Sequence, residues 1–151
     1  MRRSLQPAAA LLVALPVAVA LVSGQQPPPP VFNGSQAATG AAVYAASCAS
    51  CHMADLAGRN EAPQLAGNNF INTWRNRSTK DLFEFIQSTM PPTGENLSAA
   101  QYLAVTAYIL QANGAAAGEA ALTATTAVPI GSIATGATDR KSTRLNSSHS
   151  S

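Results

Sequence analysis

The sequence has few of the side chains from which a chain of 151 residues would build a large core. Aromatic residues make up 5% and charged residues 11% of the chain, and many of the apolar residues are alanine. A small domain with so few large apolar side chains usually needs a cross-link or a bound group to fold around. The composition therefore predicts one small domain that depends on a cofactor or a cross-link.

Basic residues are also scarce in the middle of the chain. Between Gln25 and Thr138 there are four Lys or Arg and six Asp or Glu, which gives a net charge of −2. The remaining basic residues lie near the two termini. A nucleic-acid-binding domain presents a basic surface to the phosphates, so this charge pattern excludes nucleic acid as a partner.

The longest apolar run lies at the N-terminus and is typical of an export signal. Arg2 and Arg3 precede the apolar residues 8–22, and small residues follow at Ser23 and Gly24. A membrane anchor is the alternative, but a span needs about 20 apolar residues and this run contains a proline. We expect residues 1–24 to be a cleaved signal peptide. The mature protein is then periplasmic or secreted and does not bind a membrane.

Composition divides the rest of the chain into a helical domain and its flanking segments. Residues 25–34 contain four consecutive prolines and predict an extended linker. Residues 35–118 form the predicted domain, and the Ala, Thr and Gly-rich residues 119–138 predict a second linker.

The helix signals predict an all-α domain in which irregular loops join the helices. Hydrophobic spacing and capping residues indicate a helix at each of three places, and no strand is expected before residue 120. The predicted helices cover 36–47 after Ser35, 80–88 after Ser78 or Thr79, and the residues from a capping box at Ser98 to Ala112.

One short motif carries the chemistry: Cys48-Ala49-Ser50-Cys51-His52. Two thiols at this spacing can each add to a haem vinyl group, and the adjacent histidine then lies under the iron. The motif predicts one covalent haem c, attached through Cys48 and Cys51, with His52 as the proximal iron ligand.

Three other interpretations of the two cysteines remain open. They are a structural disulfide, a redox-active dithiol and a zinc site. A zinc site needs more Cys or His, and the only other histidine is His149. A thioredoxin-like dithiol needs a strand and a helix around it, whereas this motif ends a predicted helix. These arguments favour haem over a non-haem dithiol protein.

Met90 is the predicted sixth ligand of the iron. Met1 lies in the signal, and Met53 directly follows His52 and cannot reach the opposite face of the haem. Met90 lies in a loop between two predicted helices, where the prolines after it restrict the backbone. The alternative is that Met90 fills a gap in the core.

Residues 35–118 resemble a class I cytochrome c. The resemblance is carried by the motif and by residues on the first and last helices and between them: Gly40, Tyr44, Pro63, Trp74, Val105 and Tyr108. It implies a small cytochrome c-like fold, with three to four helices wrapped around one covalent haem. Met53 and Ala54 depart from the family, which often has glycine after the histidine.

The resemblance also assigns roles to residues outside the motif. It implies that the Pro63 carbonyl accepts the imidazole N–H of His52 and that Trp74 lies near a haem propionate. Trp74 could also be a core aromatic residue, and the two roles are compatible. Arg75 could pair with a propionate or lie in solvent.

A haem with His and Met ligands has no open position for a substrate, so we expect an electron carrier and not an enzyme. Its partner would be a redox protein or a fused dehydrogenase domain. Residues 115–136 are similar in composition to the join between cytochrome and β-propeller in quinohaemoprotein dehydrogenases. A haem-based ligand sensor with a labile methionine is the alternative function.

Residues 139–151 are predicted not to be native. Three of the nine basic residues lie there, after about sixty residues without any. The run from Asp139 to His149 can be back-translated, codon for codon, to a widely used sequencing-library adapter. A genuine Ser-rich tail is the alternative. If the run is an adapter, the native chain continues beyond Thr138 and His149 is not a ligand.

Overall fold

The computed structural model describes residues 29–94 and 97–137. This part of the chain forms six helices and no strand, which confirms the all-α prediction. They are α1 (Gly34–Ser47), α2 (Ala49–His52), α3 (Asn68–Trp74), α4 (Thr79–Thr89), α5 (Ala99–Ala112) and α6 (Ile130–Ile133). None of these helices is long and apolar enough to cross a bilayer. The predicted signal, residues 1–24, and the predicted non-native tail, residues 139–151, lie outside the described residues.

Two helices begin at the capping residues that the sequence predicts. The Ser78 hydroxyl accepts the N–H of Asp81 at the start of α4, and the Ser98 hydroxyl accepts the N–H of Gln101 at the start of α5. In both cases the third helical residue returns a bond to the cap, which satisfies two backbone donors at once. The backbone and side chain of Ser78 hold the pKa of Asp81 below its ordinary value.

The first helix begins earlier than predicted, because Asn33 and not Ser35 is its N-cap. The Asn33 side chain accepts the N–H of Gln36 at 2.8 Å, and its backbone is extended, as an N-cap requires. Ser35 already lies inside the helix, where its hydroxyl donates to Asn33 Oδ1.

The domain is built on the crossing of α1 and α5, and α5 also packs against α4. The buried residues of α1 are Ala37, Gly40 and Tyr44. The ring of Tyr44 lies 5.3 Å from that of Tyr108, measured between centroids. The cysteine motif follows the end of α1 and Met90 follows the end of α4, and both of these helices pack against α5.

The last residues of the predicted N-terminal linker, residues 25–34, belong to the folded domain. Val31 is 8% exposed and Phe32 is fully buried. The Phe32 carbonyl accepts the N–H of Gly118 at 2.8 Å. Because Phe32 is buried, the folded domain begins several residues before the predicted boundary at residue 35.

The C-terminal segment, residues 119–137, also packs on the helices, which corrects the prediction of a linker over 119–138. Leu122, Ile130 and Ile133 are buried. The Gln36 side chain bonds both backbone groups of Leu122, at 2.9 and 2.7 Å. Buried apolar side chains thus hold the segment on the helices, although its composition is typical of a linker.

Candidate haem site

The cysteine motif forms a single helical turn at the end of α1. The N–H of Cys51 and the N–H of His52 both bond the carbonyl of Cys48, at 3.2 and 3.0 Å. Residues three and four positions apart in a turn lie on one face, so the two sulfurs and the imidazole start from the same side of the chain. Cys48 is half-buried and Cys51 is exposed, and no disulfide joins them.

The imidazole of His52 is buried and fixed through one of its nitrogens. Its Nδ1 lies 2.9 Å from the carbonyl oxygen of Pro63, and His52 is only 7% exposed. A carbonyl can only accept, so Nδ1 carries the hydrogen and Nε2 keeps a lone pair. This is the tautomer that a histidine needs when Nε2 is a metal ligand. The bond that the family resemblance implies for Pro63 is therefore present.

The residue after the histidine is held by a tyrosine of α1. The Tyr44 hydroxyl donates to the carbonyl of Met53 at 2.7 Å, and Met53 has a left-handed backbone with φ of 64°. Burial, followed by the neighbouring Cys48, raises the pKa of Tyr44 well above its ordinary value, so the hydroxyl stays a donor. The sequence indicates Tyr44 as a packing residue, but it gives no sign of this second role.

Asn113, at the end of α5, supports the loop beyond Pro63. Its Oδ1 accepts the N–H of Gly67 and its Nδ2 donates to the carbonyl of Leu65, both at 2.9 Å. The side chain is fully buried. The sequence identifies Asn113 only as a helix stop, because its partners lie more than forty residues away.

Met90 lies where α4 ends. Its backbone is extended, and its side chain is partly buried against the hydrophobic core. The same core cluster contains Trp74, and Cys48 also packs against it. The hydroxyl of Tyr102 donates to the Met90 carbonyl at 2.8 Å. The structure therefore places Met90 and the first cysteine of the motif on one hydrophobic cluster.

Trp74 is 8% exposed and packs between other aromatic rings. Its centroid lies 6.4 Å from that of Phe70 and 5.4 Å from that of Phe85. The cation over its ring belongs to Arg77, at 5.2 Å, whereas Arg75 is exposed. Trp74 is thus a core aromatic residue, which is compatible with a propionate contact, and its indole N–H has no hydrogen-bond partner among the described residues.

Comparison with known protein families agrees with this geometry. Residues 35–109 match the sequence model of the family described as cytochrome c oxidase, cbb3-type, subunit III. The chain contains a class I c-type cytochrome domain. No curated protein and no solved structure matches the chain significantly.

A c-type cytochrome holds its haem covalently, so the cofactor of this domain is haem c. The residues of the site fit that group. Two thiols and the imidazole share one helical turn, and the motif lies between helices, not beside a strand. Nε2 of His52 has no hydrogen-bond partner among the residues that the structure describes. No group of three or more His, Cys, Asp or Glu in those residues could hold a separate metal ion.

Proposed function

We propose that this cytochrome domain transfers single electrons in the periplasm or outside the cell, through a haem c whose iron is held by His52 and Met90. The observation that carries the proposal is the environment of Met90. Its side chain packs against the core cluster, and its backbone is bonded to α4 and α5.

Met53 is the other methionine near the motif, and its surroundings do not favour a ligand role. Its carbonyl is bonded to Tyr44 on α1, directly beside the histidine. It is adjacent in sequence to His52, which lies on the proximal side, so its thioether cannot reach the distal side. Met90 is separated from the motif by α3 and α4 and is free of that constraint.

Hydrogen bonds hold both residues that would ligate the iron, His52 through its ring and Met90 through its backbone. When bound, haem c supplies an iron that accepts and donates one electron. Pro63 fixes the orientation of the His52 ring, and a thioether ligand favours the ferrous state and raises the potential. Ligands that keep the same positions in both oxidation states suit rapid electron transfer, and a six-coordinate iron has no open position for a substrate.

The proposed partner is another redox protein. The matched family is described as a subunit of an oxidase, which supports a role in delivering electrons to a larger oxidoreductase. A net negative charge between Gln25 and Thr138 favours a partner surface with basic residues. The signal-like N-terminus supports export.

The ligand assignment is tested by comparing Met90→Ala with Met53→Ala in the haem-loaded protein. Met90→Ala should abolish the thioether-to-ferric-iron charge-transfer band, admit carbon monoxide to the reduced iron and lower the midpoint potential. Met53→Ala should leave all three measurements close to those of the wild type. If the two variants behave alike, the ligand assignment is wrong. If the wild-type protein binds carbon monoxide readily at neutral pH, the sensor function is favoured over the carrier.

A further inference from the structure

The backbone of Met90 is held at both of its polar groups. Its N–H donates to the carbonyl of Ile86 at 2.9 Å, which closes the last turn of α4. Its carbonyl accepts the hydroxyl of Tyr102 at 2.8 Å. With these two bonds in place, the position of the thioether depends only on the side-chain torsions of Met90.

The backbone of Tyr102 is held in place by α5. It lies in the first turn of α5 and is 6% exposed. Its N–H bonds the carbonyl of Ser98, the capping residue, and its own carbonyl accepts the hydroxyl of Thr106 at 2.8 Å. Because α5 also packs against α1, this hydroxyl is fixed relative to the helix that ends in the cysteine motif.

We propose that Tyr102 is a positioning residue that keeps Met90 on the iron and thereby excludes small exogenous ligands. This inference rests on the proposed His/Met ligation. The bond from α4 fixes only one side of Met90, because the chain then enters the loop between α4 and α5. The Tyr102 bond fixes the carbonyl side of Met90, so breaking it allows Met90 to move away with its thioether.

The consequence is an equilibrium between a closed state, with Met90 ligated, and an open state in which the iron binds carbon monoxide or cyanide. A single hydrogen bond made only in the closed state shifts such an equilibrium by about two- to tenfold. Tyr102 therefore contributes to whether the domain is an inert carrier or a ligand-binding haem protein.

The matched control is Tyr108, on the same helix. It is half-buried and its ring packs against that of Tyr44 at a tilt of 51°, but its hydroxyl has no hydrogen-bond partner among the described residues. Tyr102→Phe and Tyr108→Phe each remove one oxygen from a packed ring. Only the first removes a bond to Met90.

The experiment measures cyanide affinity of the oxidised, haem-loaded protein, with far-ultraviolet circular dichroism to verify the fold. Tyr102→Phe should bind cyanide about two- to tenfold more tightly than the wild type, and should lose the thioether charge-transfer band at correspondingly lower cyanide. Tyr108→Phe should retain the wild-type affinity. Replacing Tyr102 with 3-fluorotyrosine, which strengthens the hydroxyl as a donor, should weaken cyanide binding.

Equal cyanide affinities in Tyr102→Phe and Tyr108→Phe would overturn the positioning role while leaving Met90 as the ligand. If Tyr102→Phe does not fold, the fluorotyrosine variant decides, and an affinity unchanged from the wild type overturns the proposal. Failure of the proposed function has a different signature. In that case Met90→Ala itself keeps the charge-transfer band.

Discussion

Gly40 lies directly against the backbone of Ala104 where α1 crosses α5. A β-carbon at residue 40 would come within 1.8 Å of the Ala104 carbonyl oxygen and 2.4 Å of its carbonyl carbon. The helices approach this closely only because residue 40 has no side chain. The contact sets the spacing of α1 and α5, the pair of helices on which the domain is built.

Gly40→Ala should destabilise the domain strongly. The added methyl meets backbone atoms, which cannot rotate away, so the helices must separate. We expect the free energy of unfolding to fall by about 3 kcal/mol or more, which is the upper end of the cost of adding atoms to a packed core. The measurement is denaturant unfolding of the haem-loaded protein.

Gly34→Ala, in the first turn of α1, is the control for the change in helix propensity, since nothing lies within 4 Å of an added β-carbon there. It should be neutral or stabilise the domain by up to about 1 kcal/mol. Similar losses in both variants would mean that the close contact at Gly40 does not control stability.

Asn113→Ala should weaken the loop that follows Pro63. The substitution leaves the N–H of Gly67 and the carbonyl of Leu65 without their partner. Buried groups left unsatisfied cost about 1–3 kcal/mol, and unfolding in denaturant should show a loss of this size. Asn69→Ala removes an exposed asparagine bonded to Gln64 and should change stability by less than about 0.5 kcal/mol. If both substitutions have the same small effect, the Asn113 bonds do not support the loop.

Tyr44 should make the domain lose stability in alkaline solution. Burial raises the pKa of Tyr44 in the folded state above the ordinary value of about 10. The folded state therefore binds this proton more tightly than the unfolded state. The resulting stability is fully present below about pH 10 and is lost as the pH rises towards the folded-state pKa.

The test is the free energy of unfolding at about pH 8 and about pH 11, below and above the ordinary pKa of tyrosine. Tyr44→Phe should lose less stability between these two values than the wild type. Loss of the bond to Met53 lowers stability at both pH values alike, so only the difference between them is informative. An identical pH dependence in the two proteins would contradict the prediction.

Removal of residues 119–138 should destabilise the helical domain, although their composition resembles that of a linker. Leu122, Ile130 and Ile133 would lose their buried positions. Burial of each such side chain contributes about 1.5–3 kcal/mol, so a chain that ends at residue 118 should lose at least about 3 kcal/mol. The measurement compares denaturant unfolding of haem-loaded chains that end at residues 118 and 138.

Ile130→Ala tests the same packing without a truncation. Ile130 is fully buried, and its replacement should cost about 2–5 kcal/mol. If the shortened chain and the Ile130→Ala variant both match the chain that ends at residue 138, the C-terminal segment is not part of the folded unit.

The sequence by itself determines the features of this domain that depend on neighbouring residues. The Cys48–His52 spacing specifies the haem attachment turn, because one helical turn places all three side chains on one side. The serine caps of α4 and α5 are likewise recognisable, since each cap bonds a residue three positions away. The all-α class follows from these local signals.

Only the tertiary structure decides the contacts between distant parts of the chain. Gln36 bonds Leu122 across 86 positions, and Tyr102 reaches the carbonyl of Met90 across a loop. Residues 119–137 have weak local preferences, so their burial depends on apolar surface that the helices supply. The sequence contains these partners, but their pairing requires the crossing of α1 and α5, because that crossing brings the separate segments together.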